Sequence, residues 1–194
     1  MKHSLRSSLN RAASAAALLV TVVFASACSS AKGAPNAPEL ADGVNVSFTS
    51  QTENASNAVA LRLLDSSSQT ATFEVVLQNV SQPVTGAALE LSFDPATVRF
   101  DAAAAGSSLK GANPVAKAAL AARQPGKLVA VFSTRDLAQA QAGSGVLGTI
   151  FFQLHSGSYS NFIALNANAS TLFGVNGTQI SGEGFVGGTL NVRG

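Results

Sequence analysis

The sequence predicts an all-β protein, an antiparallel β-sandwich, on three observations. Residues 85–101, TGAALELSFDPATVRFD, alternate with period two: Leu89, Leu91 and Phe93 point one way, and Ala88, Glu90 and Ser92 the other. Runs of the same kind succeed one another from Ala58 onward, separated by Gly, Pro, Asn and Ser. Composition agrees. Charged residues make up only 11% of the chain, there is no Trp and one Tyr (Tyr159), and the apolar content is carried by Ala, Val, Leu and Phe. That balance suits an extracytoplasmic β-protein with polar, weakly charged faces.

The N-terminus reads as an address. Lys2, Arg6 and Arg11 precede an apolar run over residues 12–24 that Ser14 and Thr21 interrupt, then Ala25, Ser26, Ala27 and Cys28. This is the build of a secretory signal peptide over residues 1–27; the run is short for a spanning helix, which needs about 20 apolar residues. Residues 25–28 resemble a bacterial lipobox, with Ala25 where that motif usually has Leu. The resemblance implies lipidation at Cys28 and anchoring of the chain to a membrane through its N-terminal lipid. Simple cleavage after Ala27 is the alternative. Cys28 is the only Cys, so no intrachain disulfide can form, and a lipid thioether would account for it.

Charge excludes one class of partner. Three of the 12 Lys and Arg precede Cys28 and none of the 10 Asp and Glu does, which leaves nine against ten, a formal charge of −1. A nucleic-acid role loses its electrostatic support. The 167 residues from Cys28 onward suffice for one domain with a substantial core.

Residues 28–57 are expected to be a lipidated N-terminus and flexible tether, rich in Ala, Ser, Gly and Pro. Alternation at Val44, Val46 and Phe48 leaves open a short strand there, with the boundary near Gly43 or near Ser56. The domain is assigned to residues 58–194. Its strands are expected at 59–64, then at 70–80 with Phe73, Val75 and Leu77 on one face. Gln82-Pro83 breaks that run, and 87–93 follows until Asp94-Pro95 stops it, since Pro cannot donate to a ladder. Further strands are expected at 98–101, 127–133, 146–154, 162–165 and 185–192. The Gly-Gly inside the last suggests a bulge or a close backbone approach. Residues 114–123, PVAKAALAAR, read as helix by propensity, yet the Gln124-Pro125-Gly126 turn favours a hairpin strand over 118–123. Residues 136–141 are compatible with a helical turn.

In that order, TFEVVLQNVSQPVTGAALELSFDPATVRF, GKLVAVFST, GSGVLGTIFFQL and a final GGTLNV resemble the bacterial cohesin domain. The likeness covers residues 59–192 and includes Asn79-Val80, the F-D-P turn, Gly126 and Gly143. It implies a jelly-roll sandwich of about nine strands, related to carbohydrate-binding modules. It further implies a non-catalytic module that binds a dockerin-like protein through one sheet face and adjoining loops, with polysaccharide breakdown as a linked role. No short motif fixes the contacts. Ala88, Glu90 and Ser92, with the loop after Ser133, are candidate surface.

Catalytic readings are weaker. His155 is the only His after Cys28, and no G-x-S-x-G occurs. Glu74 and Glu90 would form a carboxylate pair across two strands, as a glycosidase needs, yet both occupy outward positions. No Asp-rich calcium loop or zinc cluster is present in the sequence, so no cofactor is expected, and a calcium requirement would reside in a partner. Direct glycan binding would rest on Tyr159, with Phe162 nearby, and on Asn, Gln and Asp. The readings that follow are a membrane-anchored dockerin-binding module, a carbohydrate-binding lipoprotein binding polysaccharide, and a structural envelope component. Ser29 after the Cys fits outer-membrane sorting if the host is didermic.

Overall fold

Alternation and turn chemistry yield strands in nearly every run that carries them. The computed structural model describes residues 43–52, 55–109, 114–134, 136 and 140–194, all within one compact unit, Glu39–Gly194. The signal peptide, Cys28 and the tether through residue 42 lie outside the described residues. The strands are β1 (Asn45–Ser50), β2 (Ala58–Ser66), β3 (Thr70–Ser92), β4 (Val98–Ala105), β5 (Val115–Leu120) and β6 (Lys127–Ser133). They continue with β7 (Gln141–Leu154), β8 (Tyr159–Leu165), β9 (Thr171–Gly174), β10 (Gln179–Ile180), β11 (Gly184–Val186) and β12 (Gly188–Arg193).

The fold is an all-β sandwich, and β3 belongs to both of its layers. Its first half lies between β2 and β7, with β4 beyond β7 and β11 beyond β2. Its second half lies between β6 on one side and β9 and β8 on the other, with β5 beyond β6, and β12 and β1 beyond β8. The crossing falls where the β3–β7 register shifts, between Leu77 and Val84. Asn79 adopts φ 50° there, and Pro83, which has no N–H to lose, is exposed. The Gln82-Pro83 break predicted from sequence is therefore a bend within one strand. Pairing is antiparallel except for β11 on β2, which is parallel.

Inward residues of both layers form one core. Phe73, Phe132 and Phe152 are fully buried, with Leu89, Leu91, Leu128 and Ile150. Burying each such side chain contributes roughly 1.5–3 kcal/mol. Phe48 meets Phe73 edge-on at 4.9 Å, and Phe93 meets Phe152 at 5.1 Å. Across the layers Phe132 lies on Gly148, where an added Cβ would stand 2.1 Å from the ring.

Several elements differ from the sequence reading. The sandwich begins at β1, not at Ala58: Asn45–Ser50 pairs residue for residue with β12 and brings Phe48 to the core, which a tether would not do. The Ala-rich stretch is a strand, but over Val115–Leu120, with residues 121–126 forming the turn. Helix propensity loses here to a full ladder with β6. The C-terminal run is two strands broken at Gly187, whose Cβ would meet Ile163 O at 2.2 Å, the close approach its Gly pair suggested. Short β9 and β10 are absent from the expected set; with β1, the split of the C-terminal run and the joining of two expected strands in β3, the described strands number twelve. Within 136–141, Gln141 already belongs to β7, and residues 135 and 137–139 lie outside the described ones.

Candidate interaction face

The F-D-P turn fixes where the second half of β3 ends. Asp94 Oδ1 accepts from Ala96 N at 2.9 Å, and Asp94 O accepts from the N–H of Thr97 and of Val98. Asn161, buried on β8, clamps this turn from outside it. Its Oδ1 accepts from Asp94 N at 3.1 Å, and its Nδ2 donates to Asp94 O at 3.0 Å and Thr97 Oγ1 at 2.6 Å. From that anchor the strand runs with Leu89 and Leu91 inward, so Ala88, Glu90 and Ser92 share the outer surface.

Registry extends this surface into rows. Lys117, Val131, Ala88 and Thr171 stand side by side on β5, β6, β3 and β9. Ala119, Val129 and Glu90 form the next row, then Lys127, Ser92 and Ala164. Val129 and Val131 are 43% and 37% exposed, although each sits mid-strand. They adjoin an open groove of about 620 Å³ between β4 and β5, lined also by Phe100, Ala103, Ala116 and Ala118. The result is a strip of small and branched apolar side chains with a polar border.

Glu90 is the charged point of the strip. Its Oε1 accepts from Asn166 Nδ2 at 2.7 Å and lies 3.1 Å from Lys127 Nζ. The Asn166 amide first, and Lys127 second, hold its carboxyl below the usual carboxylate range. Its backbone N–H donates to Ser170 Oγ, and its carbonyl accepts from Asn166 N. Glu90 is thus fixed in place and its charge compensated within the chain. The loop after Ser133 borders the strip, with Thr134 N bonded to Thr85 O.

Tyr159 does not belong to this surface. It pairs with Val192 on the inward side of β8 and packs against the core, and burial pushes its phenol up. Phe162, on the opposite parity, is 47% exposed beside Thr189. Phe162 is apolar in type, yet the parity set by Ile163 and Leu165 turns it outward, and Asn161 takes the inward position next to it to bind the turn. Val129 and Val131 escaped the sequence reading, yet KLVAVFS carried a signal. A strand apolar on both parities needs something to cover its second face.

The catalytic candidates stand apart. Glu74 lies on the outer surface of the opposite layer, paired with Arg62, and the core separates it from Glu90. His155 is exposed just after β7, its backbone N–H on Thr97 O. Among the described residues no three His, Cys, Asp or Glu come together as a metal site.

The model of the cohesin domain family matches residues 59–192. Among solved structures, the chain resembles a type II cohesin domain from the cellulosome of Acetivibrio cellulolyticus, with TM-score 0.58, 18% identity and coverage of 70% of this chain and 95% of that one. It also resembles the third ScaC cohesin of the same organism, solved in complex with the ScaB dockerin (TM-score 0.56, 16% identity, 70% and 99% covered). A third is the non-cellulosomal cohesin of the archaeon Archaeoglobus fulgidus (TM-score 0.52, 14% identity, 69% and 89% covered). At these identities the structural likeness speaks to the fold. No curated protein matches the sequence.

Proposed function

This chain belongs to the cohesin domain family, and we propose that it holds a dockerin-type protein at the cell envelope. Cohesin domains are non-catalytic protein-binding modules, so the chain is not an enzyme. The observation that carries the reading is the exposed strip around Val129 and Val131, mid-strand apolar side chains that a protein partner would cover. A small apolar centre inside a polar rim is the usual anatomy of such a contact. Dockerin as the partner's class follows from relatives solved in dockerin complexes. A calcium requirement would then belong to the partner's loops. Anchoring through a lipid on Cys28, at the outer membrane of a didermic host, and a link to polysaccharide breakdown complete the proposal.

Two experiments test it. Residues 39–194 are immobilised and exposed to solubilised proteins of the source organism, with calcium or with chelator. The proposal expects a protein with paired calcium loops, retained only with calcium and lost with Val131→Asp; retention of nothing under either condition contradicts it. For anchoring, palmitate should label the wild-type chain and not Cys28→Ala, and label surviving the substitution would remove the lipid from the account.

A second reading has its own observation. Phe162 stands exposed among Thr189, Thr49 and a Ser160–Asn191 hydrogen bond of 2.6 Å, a neutral aromatic and hydroxyl surface suited to a glycan. Retention of the chain by a soluble polysaccharide, lost in Phe162→Ala, would favour it.

A further inference from the structure

We propose that Asn176, in the turn between β9 and β10, is the site at which this chain spontaneously deamidates. The reaction needs an asparagine whose side-chain carbon can meet the next backbone nitrogen. The Gly177 nitrogen attacks Cγ of Asn176, a C–N bond forms, and ammonia leaves with the amide nitrogen. Water then opens the resulting succinimide to aspartate or isoaspartate, and no other reactant is required.

The geometry selects this residue from the other described asparagines. Asn176 is exposed, lies at φ 64° and makes no side-chain hydrogen bond among the described residues. Asn57, Asn79, Asn161, Asn166 and Asn191 have their side chains engaged. Asn45 and Asn168 are unbonded at the side chain but precede Val46 and Ala169, whose Cβ atoms screen the attacking nitrogen. Only Asn176 precedes a glycine, and no atom lies within 4 Å of where a Gly177 Cβ would be.

The product forms at the end of a strand that flanks the candidate face. This is β9, with Thr171 in the row of Ala88 and Val131 and with Phe173 opposite Gly86. A new carboxylate enters at the border of a chain close to neutral. The isoaspartate form also adds a backbone carbon inside a turn closed by Gly174 N on Thr178 O at 2.7 Å. The turn thereby records the age of the molecule at the end of a strand that flanks the candidate face.

Folded protein held at mildly alkaline pH and body temperature, then digested and mapped by mass spectrometry, gives the test. Amide-to-acid exchange is expected at Asn176 ahead of every other asparagine, with isoaspartate methyltransferase labelling the same peptide, and neither in Asn176→Gln. Exchange at Asn45 or Asn168 first, or an unchanged Asn176 when other amides have turned over, overturns the proposal. The wild-type map decides the matter even if the variant folds poorly.

Discussion

Asn161 sits at an inward position of β8 that alternation alone assigns to an apolar residue. It is 1% exposed and spends both amide atoms on the F-D-P turn. Asn161→Leu should therefore destabilise the fold by about 1–3 kcal/mol, read by urea unfolding, because the turn's Asp94 N–H loses its acceptor in a partly buried place. Unchanged stability would mean that water replaces the amide without loss. Glu90 offers a test in pH. Its folded pKa lies below the 4.5 of the free side chain, so the stability it contributes is present above that value and lost as pH falls through the lowered one. The stability gap between wild type and Glu90→Gln should accordingly be present at neutral pH and close on acidification. Glu90 was legible in the sequence as an outward residue of β3, whereas its partner Asn166 was not. That contact joins residues 76 positions apart, and no local pattern encodes it.

Strands with one polar face were legible in place, since burial of Leu89, Leu91 and Phe93 dictates period two, while β4, β7 and β8 run three to five residues beyond their expected bounds. Elements set by their neighbours were legible only in part. β5 carries an alanine-rich helix former's sequence; the Gln124-Pro125-Gly126 turn favoured a strand, and the ladder with β6 fixes its span at Val115–Leu120. β1 lies in a tether-like composition whose alternation left a strand open, and pairing with β12 decides for the strand. A chain shortened to begin at Thr52 should lose that cover and the Phe48–Phe73 contact, and melt well below the full domain; an unaltered melting temperature would show β1 to be dispensable. The Gly-Gly of the final strand was readable as a close approach, and its partner strand was not. Gly187→Ala places a Cβ against the Ile163 carbonyl, which cannot turn away without breaking the β8–β12 ladder. It should cost about 1–3 kcal/mol or more, and a neutral result would require β12 to shift register.

At the scale of the whole molecule, the sandwich presents two outer surfaces of different character. The β2–β3–β7 surface carries the Arg62–Glu74 ion pair, and the β5–β6–β3 surface carries Val129 and Val131 bare. Family membership accounts for the fold and for the absence of catalysis, and the exposed strip accounts for where a partner would sit. Paired Val129→Asp and Val131→Asp substitutions should keep the sandwich, read by an unchanged far-UV spectrum, because both side chains are partly exposed on the outer surface. They should weaken partner binding at least about tenfold, roughly 1.4 kcal/mol. An amide chemical-shift map of isotope-labelled residues 39–194, titrated with the calcium-retained partner, locates the contact. Perturbations are expected at residues 88–92, 117–119 and 127–131. Perturbations confined to the β2–β3–β7 surface, with those three segments silent, would contradict the account.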